Sequence, residues 1–247
     1  MKVAIHQPNF VPWLGIFHRA AMVDRFIYFD HVQALRGKSW LTRNRILVGG
    51  GTRWLTIPTE KSGAGLAAVN EVRIQWNNPV AAKHLRTLEV EYGRHPHFDE
   101  VYAFVNELYN RRPGFVADLN KAFFEGVLER TGLQAELVSS ADLVAADPRL
   151  ADLRGNELVV ATCLAADGDE YVSGEGCLDF IDPPAFESAG VDFWFQRYVH
   201  PEYPQRGTDE FISHLSALVA LFNVGFDGVR ALVEHEAKER VPAGGLR

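Results

Sequence analysis

Met1-Lys2-Val3-Ala4-Ile5-His6-Gln7-Pro8-Asn9-Phe10-Val11-Pro12-Trp13-Leu14-Gly15 opens the chain. Val3 to Ile5 reads as an apolar strand that runs straight into the polar pair His6-Gln7. Pro8 and Pro12 interrupt any strand ladder, and a helical pattern starts near Trp13. Leu14, Phe17 and Ala21, with Ile16 beside them, recur at helical spacing as far as about Val23. Phe26-Ile27-Tyr28-Phe29 then forms a second strand ending at Asp30. Strand, helix and strand within about thirty residues match one right-handed βαβ unit. Open sheets of such units bind ligands outside the carboxyl ends of their strands. His6 is therefore expected on a ligand-binding edge before any function is assumed, and Asp30 joins it there if the two strands are neighbours.

Beyond this unit, Arg43 to Val48 and Arg53 to Pro58 flank Gly49-Gly50-Gly51, and glycines there supply the positive φ of a tight hairpin turn. Lys61 to Leu66 reads as a loop and Val72 to Trp76 as a short alternating strand. Helices are expected over 80–92, starting behind Asn78-Pro79, over 98–110, and over 116–131 closed by Gly132. A short strand at 136–138, a helix over 156–166 and a strand at Tyr171-Val172 follow. The last strand spans 191–198, a C-terminal helix spans 211–222, and Ala243 to Arg247 fray. This alternation predicts an α/β fold: a mostly parallel, Rossmann-like open sheet with a β-hairpin and a helical insertion or cap. Residues 1–247 read as one domain, with 79–132 as a helical subdomain.

The 247 residues are long enough for a proper core. Their 47% hydrophobic and 23% charged composition is that of an ordinary globular protein. A formal charge of −7 speaks against general nucleic-acid binding, although Arg36-Gly37-Lys38, Arg43-Asn44-Arg45 and Arg111-Arg112 are local basic runs. Cys163 and Cys177 show neither a disulfide framework nor zinc spacing, and no metal is expected. Neither a signal peptide nor a membrane span is visible, which reads as a cytoplasmic protein without a membrane partner.

Five segments could carry chemistry. His6, flanked by the uncharged donors and acceptors Gln7 and Asn9, is a candidate general base, since imidazole titrates near neutrality. Asp30, before His31-Val32-Gln33, would orient its tautomer if the first two strands are neighbours. Lys38-Ser39-Trp40-Leu41-Thr42-Arg43-Asn44-Arg45 joins cations suited to carboxylate or phosphate with a tryptophan that could stack on a ring. Ser173-Gly174-Glu175-Gly176 follows a strand, where glycines let backbone N–H groups approach an anion. It matches neither a dinucleotide fingerprint, a Walker loop nor a nucleophile elbow. His200-Pro201-Glu202-Tyr203-Pro204-Gln205 follows the last strand and brings a second imidazole to the same edge. Each also has a plain structural reading as a strand-end turn, a solvated hairpin face or a proline-bounded loop.

Taken together, these segments resemble the WbqC-like protein family of bacteria. The likeness rests on Ile5 to Gly15, Asp24 to Gln33, Trp40 with Arg43-Asn44-Arg45-Ile46, and Trp54-Leu55-Thr56-Ile57-Pro58. It continues at Tyr171-Val172-Ser173-Gly174, His200 to Gln205, Leu215-Ser216-Ala217-Leu218 and Leu221-Phe222-Asn223-Val224-Gly225. The resemblance implies a role in O-antigen or other surface-polysaccharide clusters, or in secondary metabolism. There the protein would modify an amino sugar or similar amine by acyl or aminoacyl transfer. Two positions depart from the family pattern: Val219 stands where an acidic residue is usual, and Cys177 where a polar one is.

On the transferase reading, His6, Asp30 and His200 are the catalytic candidates. Gln7, Asn9, Trp13, Gln33, Trp40, Arg43, Asn44, Arg45, Ser173, Gly174, Tyr203 and Gln205 would line the substrate site. The substrate would be a small molecule, such as a nucleotide-linked sugar or an aminoacyl donor, and the sequence names no cofactor. Two further readings stay open. One is nucleotidyl transfer or adenylation, although Trp13 and Ile16 occupy the positions of the two histidines in an HxGH motif. The other is a ligand-binding protein of the same pathway.

Overall fold

The structure is a computed structural model that describes every residue except 36, 38, 61–66, 78, 236–239 and 243–247. The expected 61–66 loop, the frayed end and Lys38 of the basic segment lie outside the described residues.

In chain order the elements are β1 (Lys2–His6), α1 (Leu14–Ala20), β2 (Arg25–Tyr28), β3 (Arg43–Val48), β4 (Gly51–Thr56), α2 (Val80–Tyr92), α3 (Phe98–Asn110), α4 (Val116–Thr131), β5 (Glu136–Ser139), α5 (Ser140–Ala146), α6 (Gly155–Ala165), β6 (Glu170–Gly174), α7 (Pro183–Ser188), β7 (Asp192–Gln196), α8 (Ala217–His235) and β8 (Arg240–Val241). The sheet order is β5-β2-β1-β6-β7-β8. Its first five strands are parallel, and β8 adds an antiparallel edge. The expected α/β fold is therefore present, with the β3–β4 hairpin as a separate pair.

Both faces of the sheet are covered, which accounts for the near-continuous apolar run of β1. Ala4, Phe26, Tyr28 and Val172 point into a core shared with α1, α2, α3, α4, α8 and the hairpin. Val3, Ile5, Ile27, Tyr171, Phe193 and Phe195 point the other way, toward α6 and α7. Period two thus survives beneath an apolar surface. All seven residues of α1 are buried, His18 and Arg19 included.

The hairpin closes through Gly49 and Gly50, with φ of 57° and 78°, the signature of a two-residue turn. Gly132, at φ 69°, ends α4 in the left-handed region, as a glycine after a helix predicts. Residues 72–76 do not form the expected strand. Ile74 and Arg73 make only isolated bridges, to Thr59 and Phe115. The C-terminal helix starts at Ala217, not at residue 211, and continues to His235 across a kink at Gly225. Helices α5 and α7, each one or two turns long, lacked a periodic signal in the sequence.

Chain direction across the sheet decides where a site can form. From β1 the chain runs outward through β2 and β5, then returns to build β6 and β7 on the other side of β1. The switch point therefore lies between β1 and β6, and a crevice opens outside their carboxyl ends.

Candidate functional site

A cleft of about 430 Å³ occupies this switch point. His6 at the end of β1, Gly174 at the end of β6 and Gln196 at the end of β7 reach it from the sheet. Trp13, Ile16 and Arg19 reach it from α1 and its N-terminal residue, and Trp40 and Arg45 from the hairpin side. Asn9, Glu175, Gly176, Tyr198 and His214 complete the lining.

Arg19 dominates the electrostatics. It is 6% exposed, and no carboxylate among the described residues pairs with it. Burial lowers its pKa. Its Nε donates to Gln196 Oε1 at 3.1 Å. The Gln196 amide nitrogen donates to Gly15 O at 2.8 Å and lies 2.8 Å from His18 Nδ1. The guanidinium is thus held along one edge, and it packs against the end of β6, where a larger residue than glycine would have to displace it. A Cβ on Gly174 would stand 2.8 Å from Arg19 Nη2. A second arginine, Arg45, has a buried Nε without a hydrogen bond among the described residues. Buried donors left without an acceptor are expensive, and an anion in the cleft would satisfy them.

His6 stands beside this field. Its Nδ1 lies 2.7 Å from Gln7 O. A carbonyl only accepts, so Nδ1 carries the proton and Nε2 keeps its lone pair. Burial, then the charge of Arg19, lowers the imidazole pKa to about 3. His6 is therefore a neutral base-form imidazole at neutral pH.

The wall opposite is aromatic. Trp13 stacks on His200 at 6.2 Å between centroids, with Tyr198 at 5.3 Å and His214 at 5.0 Å. Gly15 leaves room for the Trp13 ring, which a side chain there would strike. At the mouth, Trp40 and Trp54 are 48% and 40% exposed and stand 5.5 Å apart, with the Arg43 guanidinium 4.0 Å over Trp54. Two backbone outliers brace the rim. Val11 has φ 37°, an unusual value for a β-branched residue, and its carbonyl accepts from Asn44 and Ser216 at 2.9 and 2.7 Å. His214 has φ 59°. Strained residues of this kind gather at ligand sites.

The three catalytic candidates do not meet. His6 lines the cleft. Asp30 is 1% exposed at the junction of β2, β5 and α5. There its carboxylate pairs with Lys121 and accepts from Ser139 Oγ, Ser140 Oγ and Ala141 N. Burial would raise its pKa, but Lys121 and Ser139 outweigh that and lower it. Its hydrogen bonds hold the start of α5 and do not go to His6. His200 backs Trp13, its Nδ1 3.1 Å from Pro201 O, and burial lowers its pKa to about 4.

Of the substrate-lining candidates, Asn9, Trp13, Trp40, Arg45 and Gly174 face the cleft. Gln7 lines a small crevice next to it. Arg43 lies on Trp54 at the mouth. Asn44 is 1% exposed and its amide clamps Phe10 O and Val11 O. Ser173 is 1% exposed behind the strand end, and Tyr203 is packed on Phe211. Gln205 closes its own loop by two bonds to Ile212, and Gln33 is exposed and bridges to Ala68. Sequence reasoning missed Arg19, Gln196, Tyr198 and His214. For Gln196 a signal existed: a polar residue ending an apolar strand, as at His6.

The WbqC-like protein family model matches residues 7–231. This chain belongs to the WbqC-like family. It is 30% identical over 226 residues to the uncharacterized protein Rv1507c of Mycobacterium tuberculosis, covering 91% of this chain and 94% of that protein. No solved structure gives a significant match. Among the described residues of this WbqC-like chain, no three His, Cys, Asp or Glu side chains are grouped to hold a metal ion. No helix among them is long and apolar enough to cross a membrane.

Proposed function

We propose that this WbqC-like protein transfers an acyl or aminoacyl group to the amine of an amino sugar or similar acceptor, in surface-polysaccharide or secondary-metabolite biosynthesis. The reading rests above all on Arg19, a buried guanidinium without a carboxylate partner among the described residues, opening onto the switch-point cleft beside a neutral imidazole. Arg19 and Arg45 hold the anionic part of a substrate: the diphosphate of a nucleotide-linked sugar, or the phosphate or carboxylate of a donor. Trp40 offers a face on which a ring stacks.

In the chemical step the acceptor nitrogen attacks the donor carbonyl carbon. His6 Nε2 takes the amine proton as the C–N bond forms. The bond from carbonyl carbon to leaving group then breaks, and the imidazolium returns its proton to that group. Burial and Arg19 disfavour the imidazolium, so His6 releases the proton readily. An anion bound against Arg19 weakens that penalty and makes His6 a better base when substrate is present.

The test is a thermal-shift screen against nucleotide sugars, aminoacyl donors, acyl-CoAs and nucleoside triphosphates. A ligand binding only the folded state raises the midpoint. A shift with a nucleotide sugar or aminoacyl donor, abolished in Arg19→Met, is expected. Arg19→Met should itself melt no lower than wild type, because it removes a buried unpaired charge. With the responding pair, His6→Ala should lose turnover by at least about a hundredfold while keeping its fold. A shift with ATP or CTP alone would transfer the assignment to nucleotidyl transfer, and wild-type turnover in His6→Ala would end this mechanism.

A further inference from the structure

Away from the switch point, a second cavity of about 420 Å³ lies between the β3–β4 turn, the end of α2 and the Arg206-Gly207 loop. Its floor is His95, which is 9% exposed. Both ring nitrogens of His95 are shielded from solvent and neither makes a hydrogen bond of normal geometry. Burial lowers the pKa of His95, while the backbone carbonyls of Arg206 and Tyr92 beside the ring act in the opposite direction. Tyr92 lies against the imidazole at 4.9 Å between centroids. A buried imidazole with neither nitrogen satisfied is rare in a finished core, and it points to a ligand that supplies the partner.

Around this floor the lining is cationic. Arg94 and Arg206 both border the cavity, and neither forms an ion pair among the described residues. Arg206 is pinned in place: its Nη1 donates to Arg94 O and its backbone N–H donates to Asn223 Oδ1 at 2.9 Å. Glu91 is the carboxylate of the lining, and its Oε2 already accepts from Gly49 N at 3.0 Å. Gly50 and Gly207 bring the two backbone walls together. Both have positive φ, and a Cβ on Gly50 would stand 3.4 Å from Gly207 O.

We propose that this cavity is a second binding site, for a phosphate group, free or carried by a small phosphorylated metabolite. Two guanidinium groups and an imidazole against one engaged carboxylate suit a tetrahedral dianion, whose oxygens accept from several directions at once. The cavity is larger than a lone phosphate needs, so a phosphate ester also fits. The proposal is independent of the transferase reading, since no cleft residue takes part.

Inorganic phosphate and glycerol 3-phosphate, at constant ionic strength, are the probes, followed by His95 ring signals in nitrogen-correlated NMR and by calorimetry. Both are expected to move the His95 signals at millimolar concentration or below. Arg206→Ala and Arg94→Ala, exposed substitutions, should each weaken binding by at least about tenfold. Arg19→Met, in the other cleft, should leave it unchanged. Tighter binding of the ester assigns the site to a phosphorylated metabolite, and equal binding assigns it to free phosphate. Unmoved His95 signals with both probes, or full affinity in Arg206→Ala, would overturn the proposal.

Discussion

His84 shows how single side chains set the response of this protein to acid. It is 7% exposed, its Nδ1 lies 2.7 Å from Tyr109 Oη, and burial lowers its pKa to about 4. His6 and His200 are lowered to about 3 and about 4 in the same direction, burial being the first cause in each. The folded protein keeps these rings neutral, while the unfolded chain protonates them below about 6.5. Stability is therefore unaffected by them above that pH and falls as pH drops from about 6.5 toward 4. Asp30, lowered by Lys121 and Ser139 against its burial, adds a loss further into acid, as pH falls through its folded pKa. For His84 alone, a shift from 6.5 to about 4 corresponds to about 3 kcal/mol. Urea unfolding at pH 7 and pH 4.5 should show a clear loss of stability, smaller in His84→Gln. Equal midpoints at the two pH values would show that these rings are not buried neutral.

At the scale of elements, α8 carries a built-in break. Gly225 has φ 70° and ψ −175°, a conformation open essentially to glycine alone. It lies where the His97 ring packs, 2.5 Å from the position of an added Cβ. The break lets one helix follow two neighbours, packing Phe222 on Tyr92 and Phe226 on Phe104. Gly225→Ala is expected to cost about 1–3 kcal/mol in backbone strain, with more from the clash. A chemical-denaturation midpoint equal to wild type would mean that α8 straightens at no cost. The start of the same helix bears on Val219, the position where the family resemblance implies an acidic residue. That residue is fully buried in the main core, so an acidic side chain there needs a partner that this apolar position does not supply.

Across the whole molecule, two burial patterns divide the labour. The parallel sheet is covered on both faces, whereas the β3–β4 hairpin is a separate two-stranded pair packed on one side. Amide hydrogen exchange should therefore be slowest in β1, β2 and β6 and faster in β4, where Thr52, Arg53 and Trp54 are exposed. Protection in β4 as high as in β1 would show that the hairpin opens only with the whole fold. The cleft lies where these parts meet: rigid strand ends supply His6, Gly174 and Gln196, and the hairpin side supplies Trp40 and Arg45. A base at the end of β1 thus shares the cleft with Arg19 from α1 and with Trp40 and Arg45 from the hairpin side.

Much of the architecture was legible because it is written in local periodicity and turn chemistry. The opening βαβ unit, the Gly49-Gly50 hairpin, the three helices from 80 to 131 and the stop at Gly132 follow from spacing, glycine and proline alone. His6 was legible as a strand-end histidine for the same reason. The 72–76 segment misled because, among the described residues, its neighbours at 58–60 and 114–116 meet it only in isolated bridges, and pairing is non-local. Asp30 misled in a similar way: its strand neighbours β1 as expected, but Lys121 on α4 and the start of α5 take its carboxylate. Arg19 was silent because a charged residue inside an amphipathic pattern reads as a solvated face. Only the packing of β6, β7 and the hairpin side around α1 buries that guanidinium, fixes it to Gln196 and turns it into the cleft. The sequence by itself determined which segments become strands and helices, since φ/ψ preferences and apolar periods act over a few residues. The tertiary structure alone decided which polar ends converge, since that depends on strand order and on side chains far apart along the chain.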